Sequence, residues 1–257
     1  MNLDKFRRSF HSKVLSKANE LQPLTHIWGT NSPLIQHTIN LAVSCLEDGE
    51  AYFEVGCLYG SSLAAACVNN EDKYKYAWDI KYEKNAFEVI NNQANRIKAH
   101  EGDFFEENPR LPLEEFIKRP VGVYYYDADH SHEATLKALC KIIPHLSDNA
   151  LIIMDDLEYG SVYNSWRKFA REHSGNFTVV HEFWTPDKFI ACTKGYKDEW
   201  WDACGIMEYE KEFKEEDEDV ANRSVQIWHG MGEYKDRHGT LHPREFKYIH
   251  GKEEQRA

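Results

Sequence analysis

The chain has no close pair of cysteines and no CxxC among its six, which stand at Cys45, Cys57, Cys67, Cys140, Cys192 and Cys204. Four of them sit in apolar patterns, where a buried thiol behaves as a small hydrophobe. Long apolar runs are missing too, since nothing approaches the roughly 20 residues that a membrane span requires. The first ten residues carry charge and no apolar core. These absences lead us to expect a reduced, cytoplasmic protein with no membrane partner. Positive charge is not in excess either. The formal net charge of −12 argues against nucleic acid or an anionic membrane as the main partner. No internal repeat is visible, and His229, His238, His242 and His250 are spaced too irregularly for a metal motif.

What is present is the composition of a globular α/β protein. The 257 residues are 42% hydrophobic and 13% aromatic, enough for one large domain with appendages or two small ones. Leu3, Phe6, Phe10, Val14 and Leu15 are spaced by threes and fours, which predicts a docked surface helix. Pro33 suits the first turn of a second helix, one that buries Leu34, Ile35, Ile39, Leu41, Ala42 and Leu46. From Ala51 onward strands at 51–54, 74–80, 97–101, 121–126 and 151–154 alternate with helices at 61–68, 83–95, 132–143 and 161–173. Such alternation implies a parallel sheet covered by helices on both faces. Two apolar-alternating runs, 177–184 and 188–193, then flank Thr185-Pro186-Asp187, which predicts a turn and an antiparallel hairpin. Beyond Gly195 the order falls away, and the acidic run 208–219 reads as solvated helix or linker.

One turn organises this pattern. The first strand ends at Glu54, Gly56 and Gly60 follow four apart, and Ser61 and Ser62 open an alanine-rich helix. Gly56 allows positive φ and close backbone approach, and Gly60 lets the helix start pack near the strand. Such a helix start suits a carboxylate or phosphate. A carboxylate also follows every parallel strand: Glu54, Asp79, Asp103, Asp127 with Asp129, and Asp155 with Asp156. Ligands of such sheets bind beyond the carboxyl ends of the strands, so an acidic cleft is expected there. Asp79, about 20 residues after the turn, stands where an acid accepts two ribose hydroxyls. Glu54 and the turn could receive an ammonium and a carboxylate. Gly102-Asp103-Phe104 could take an exocyclic amine while Phe104 stacks on a flat ring. An amino acid joined to ribose joined to adenine satisfies all three.

With these residues assembled, the chain resembles a class I S-adenosylmethionine-dependent methyltransferase. The resemblance rests on Glu54-Val55-Gly56-Cys57-Leu58-Tyr59-Gly60-Ser61, Asp79, Gly102-Asp103-Phe104 and Tyr125-Tyr126-Asp127-Ala128-Asp129-His130, and covers roughly 30–194. It implies an α/β, Rossmann-like methyltransferase fold: a mostly parallel seven-stranded sheet with a terminal antiparallel hairpin and helices on both faces. The organisation expected is N-terminal helices over 1–48, a cofactor-binding methyltransferase domain over 49–195 and an acidic C-terminal extension over 196–257. Within the family, Asp127-Ala128-Asp129-His130 followed by Asp155-Asp156 is similar to small-molecule O-methyltransferases, including metal-dependent catechol, caffeoyl-coenzyme A and macrolide-sugar enzymes.

The resemblance implies S-adenosylmethionine held by Glu54, Gly56, Tyr59, Gly60, Ser61, Asp79, Asp103, Phe104 and Asp127. It also implies Mg²⁺ on Asp127, Asp155 and Asp156, since oxygen ligands suit that ion. His130 takes the place of the lysine base of the catechol enzymes and is, with Asp127, a candidate for catalysis; His130 as a helix cap or cofactor ligand is the competing role. The expected partner is a small hydroxylated acceptor, with homo-oligomerisation left open. Two other functions fit parts of the pattern. A nucleotide-binding Rossmann oxidoreductase needs a third glycine after Gly60, where Ser61-Ser62-Leu63 stand, and leaves the hairpin unexplained. A non-catalytic binding protein of the methyltransferase fold would use Trp200, Trp201 and the acidic tail.

Overall fold

The computed structural model describes residues 1–106, 110–183 and 203–212, together with the backbone of five short strands between 226 and 253. Two strands of the sheet are wholly buried. Every residue of β1 (Ala51–Val55) and β4 (Val121–Tyr126) is buried. Side chains on a strand alternate between faces. Tyr52, Val123 and Tyr125 therefore enter one core, while Phe53, Tyr124 and Tyr126 enter the other. Strands that serve two cores read as continuous apolar runs.

Around this pair lie β2 (Tyr74–Asp79), β3 (Ile97–Glu101), β5 (Leu146–Met154), β6 (Phe177–Phe183), β7 (Cys204–Glu210) and a short β8 (Gln226–Trp228), in the order β3-β2-β1-β4-β5-β7-β6-β8. One core is closed by α1 (Leu3–Lys13), α2 (Pro33–Ser44), α3 (Ser61–Cys67) and α4 (Lys84–Asn92). The other is closed by a single turn, α5 (Leu113–Phe116), with α6 (His132–Ile142) and α7 (Gly160–Glu172). The α2 start follows from its sequence: Ser32 accepts the Ile35 N–H at 3.3 Å and Pro33 occupies the first turn. No helix among the described residues is long and apolar enough to cross a membrane.

The expected antiparallel closure is present, with a different second strand. β7 runs antiparallel between β5 and β6; the run 188–193 lies outside the described residues. The sheet thus continues past residue 195, and Glu208 is not solvated but 2% exposed. The cause is a distant partner. On α1, Arg7 donates from Nε and Nη2 to the two Glu208 oxygens at 2.8 and 2.5 Å, and from Nη2 to Glu210 at 2.9 Å. A bidentate guanidinium is the geometry that lets a carboxylate stay buried. The acids at 208 and 210 mask a strand whose Ile206, Met207 and Tyr209 are core. Phe6 and Phe10 are 1% exposed, and Phe10 packs on His181 and Phe183 at 4.9 and 5.9 Å, so α1 is docked as its periodicity predicts.

Candidate active site

The glycine turn after β1 sits directly on the end of β4. Gly56 has φ +90, and a Cβ there would lie 1.6 Å from the Asp127 carbonyl oxygen. Gly60 has φ +85 and would bring a Cβ within 2.8 Å of the Ala86 backbone on α4. Both positions therefore need glycine for contact as well as for conformation. The turn is held by the acid that ends β2. Asp79 Oδ2 accepts the N–H groups of Cys57 and Leu58 at 2.5 and 2.7 Å, and Oδ1 accepts the Lys81 N–H at 3.0 Å. A carboxylate offers about four lone-pair directions. Three are occupied here, so Asp79 has room for one ribose hydroxyl where two were expected.

Glu54 lies behind the turn rather than in the cleft. It is fully buried on β1, accepting the Tyr52 hydroxyl at 2.6 Å and the Ser62 hydroxyl at 3.2 Å. Burial pushes its carboxyl from 4.5 up to about 7, against the pull of those donors. The folded protein thus binds a proton at Glu54 that the unfolded chain releases between these values. Stability from this group is full below pH 4.5 and is lost as pH rises through 7. Glu54→Gln is expected to leave unfolding free energy unchanged at pH 4, where both states hold the proton. At pH 9 it should raise it by about 2–3 kcal/mol. Urea unfolding at the two pH values checks this, and a variant no more stable than wild type at pH 9 contradicts it.

In front of the turn lies a cavity of about 650 Å³, within the range of cofactor pockets. Of the residues expected to hold the cofactor, Gly56, Tyr59, Ser61, Asp79, Asp103, Phe104 and Asp127 line it; Glu54 and Gly60 do not. Phe104 is only 4% exposed, and its ring lies among Trp78, Phe53 and Phe105 in the core. The open apolar surface is instead Ile80, 73% exposed, and Leu58, 44% exposed, with half-buried Phe105 also lining the cavity. The Trp78 indole donates to the Gly102 carbonyl at 2.9 Å and fixes the loop that carries Asp103. Sequence reasoning missed Ile80, although its place just after the β2 acid is a usable signal. It also missed Gly29, Thr30 and Asn31, which line the cavity from the segment before α2.

Beyond Asp127 lies a cluster of acids. Oxygens of Asp127 and Asp156 and a ring nitrogen of His130 all fall within 4.8 Å of one another. His130 Nε2 is 2.7 Å from Asp156 Oδ2, and its ring stacks on Tyr159 at 4.6 Å and 23°. The Asp156 hydrogen bond raises the imidazole pKa. Burial, then the charge of Asp156, raises that of Asp127. Asp155 is not in this group. It is turned to Tyr125, whose hydroxyl donates to Asp155 Oδ2 at 2.6 Å. Asp156 has φ +61, a left-handed residue after the strand, which sends two consecutive acids in different directions. Asp129 instead accepts the Ser131 N–H at 2.7 Å and is exposed.

Residues 53–157 match the family model for a methyltransferase domain. Over that stretch the chain is similar to methyltransferase domains. This match and the fold bear out the likeness to class I S-adenosylmethionine-dependent methyltransferases. The match spans the glycine turn, Asp79, Asp103, Asp127 and the Asp155-Asp156 pair. No curated protein sequence matches the chain. Among solved structures it is similar to cofactor-bound Rv0187 from MTB, at 16% identity and a TM-score of 0.52, over 79% of this chain and 90% of that one. It is also similar to the O-methyltransferase TomG from Streptomyces achromogenes, involved in tomaymycin synthesis and solved in complex with SAM. There the identity is 12% and the TM-score 0.50, over 79% and 89% of the two chains. The antiparallel β7 between β5 and β6 is the closure that the oxidoreductase alternative leaves unexplained.

Proposed function

We propose that the chain moves the methyl group of S-adenosylmethionine to a hydroxyl oxygen of a small acceptor, assisted by a divalent cation such as Mg²⁺. The observation that carries this reading is the double position of Asp127. It lines the cofactor cavity and also belongs to the acid cluster, so a methyl donor in the cavity ends beside the acids. Among the described residues no lysine or arginine pairs with Asp127, Asp155 or Asp156. A half-buried to buried set of carboxylates without a cationic side chain fits a hard divalent ion. Asp127 and Asp156 would hold it, with Asp155 kept back by Tyr125.

A cation bound there supplies Lewis acidity toward the acceptor hydroxyl. The chain's own residues do the rest. Asp79 and the glycine turn seat the ribose and amino-acid ends, Ile80 and Phe105 flank the adenine, and Asp103 meets its amine. His130, whose Nε2–H is held by Asp156 and whose ring is braced by Tyr159, takes the hydroxyl proton at Nδ1. Holding acceptor oxygen and methyl carbon in line supplies much of the acceleration. The unpaired described cysteines, Cys45, Cys57, Cys67, Cys140 and Cys204, suit a reducing compartment, and we place the protein in the cytoplasm.

The test is transfer of labelled methyl from S-adenosylmethionine to a panel of phenols, catechols and sugars, with Mg²⁺ or with EDTA. We expect O-methylated product and at least a tenfold loss in EDTA, restored by Mg²⁺. Full rate in EDTA removes the cation from the reading, and a product methylated on nitrogen removes the oxygen acceptor.

A further inference from the structure

The wall formed by residues 28–31 is held in an unusual way. Among the described residues, no backbone hydrogen bond joins 28–31 to the sheet or to α3. Trp28 is 64% exposed and touches Tyr59 only edge-on, at 4.5 Å between ring centres. Gly29 lies so close to the start of α3 that a Cβ there would fall 2.0 Å from Ser61 Oγ. What fastens the segment is the Asn31 side chain. Its Oδ1 accepts the Ser61 hydroxyl at 2.6 Å, and its Nδ2 donates to the Tyr125 hydroxyl oxygen at 2.8 Å. Tyr125 in turn donates to Asp155 at 2.6 Å and stands 3.3 Å from Asp127.

The direction of this chain of bonds is set from its acid end. With its one proton given to Asp155, the Tyr125 oxygen is left as an acceptor. It therefore draws the Asn31 NH₂, so Oδ1 faces Ser61 and accepts that hydroxyl's hydrogen bond. One amide thereby touches both halves of the site: Ser61 in the cofactor wall, and the phenol that keeps Asp155 away from Asp127, Asp156 and His130. Neither Asn31 nor the segment it pins belongs to the stretch that matches the methyltransferase family, residues 53–157.

We propose that Asn31 is a positioning residue that couples cofactor binding to cation binding, through Ser61 on one side and Tyr125–Asp155 on the other. The proposal rests on the functional reading above. Its physical content is that the acid cluster cannot rearrange around a cation without moving Tyr125, and Tyr125 cannot move without moving the wall at Asn31.

Two measurements on the full chain test it. The first needs no ligand: urea unfolding of Asn31→Ala, Tyr125→Phe and the double variant. The double variant should lose no more than the worse single variant, since either change breaks the same chain of bonds. Additive losses would overturn the linkage. The second is calorimetric titration with S-adenosylhomocysteine, with and without saturating Mn²⁺. In wild type Mn²⁺ should change the affinity threefold or more. In Asn31→Ala and in Tyr125→Phe that change should vanish, while Leu58→Ala, in the cavity but outside this chain of bonds, should keep it although its affinity falls. A Mn²⁺ effect that survives in Asn31→Ala, or that is absent from wild type, overturns the coupling. Wild type that binds no S-adenosylhomocysteine overturns the functional reading instead, and the unfolding cycle still decides the linkage.

Discussion

Gly56→Ala is expected to lower affinity for S-adenosylhomocysteine at least a hundredfold and to destabilise the fold by about 3 kcal/mol or more. The conformational part is modest: a left-handed φ costs an L-residue roughly 1–2 kcal/mol. The larger part is contact. A methyl 1.6 Å from the Asp127 carbonyl oxygen and 2.5 Å from its carbon meets backbone, which has no rotamer to change. The β1 turn and the end of β4 must separate, and the bond from the Asp127 N–H to the Val55 carbonyl, 2.9 Å, joins those same segments. Asp127 then leaves both the cavity and the acid cluster. Gly60→Ala is a useful companion, because its clash at 2.8 Å with Ala86 is relieved by a smaller shift of α4. Calorimetry and urea unfolding measure both effects. A Gly56→Ala protein that binds the ligand within threefold of wild type would show that the turn does not form the cofactor seat.

The second large effect separates chemistry from binding. His130 and Asp156 belong to the acid cluster but do not line the cavity, whereas Asp127 belongs to both. His130→Ala and Asp156→Ala should therefore lower kcat by about 10²–10⁴, the usual share of a positioned proton acceptor. Affinity for S-adenosylhomocysteine should stay within twofold. Asp127→Ala should lose both. The two cluster variants also differ from each other. Asp156→Ala should weaken Mn²⁺ binding, followed by electron paramagnetic resonance, and His130→Ala should not. Loss of Mn²⁺ binding in His130→Ala would make the imidazole a ligand rather than a base.

Much of this arrangement was legible in the sequence because it is local. Strand-turn-helix alternation fixes a parallel sheet, and in such a sheet the residue after each strand faces one edge. Reading only those positions was enough to gather Asp79, Asp103 and Asp127 around one cavity. The failures are long-range. Glu208 looked like the start of a solvated run because the guanidinium that neutralises it stands about 200 residues earlier, on α1. Asp155 and Asp156 looked equivalent, and only the left-handed backbone at Asp156 sends one to Tyr125 and the other to His130. Phe104 and Phe105 are likewise neighbours with no pattern to say which ring is core. Asn31 carries no motif at all, and its role appears only when its two hydrogen bonds are seen together.

The most direct measurement is calorimetric titration of the purified chain with S-adenosylhomocysteine, in competition with NADH. The account predicts one site per chain with micromolar affinity, unaffected by NADH, and weakened at least tenfold in Asp79→Ala. Absence of binding, or a site that NADH occupies instead, would contradict it.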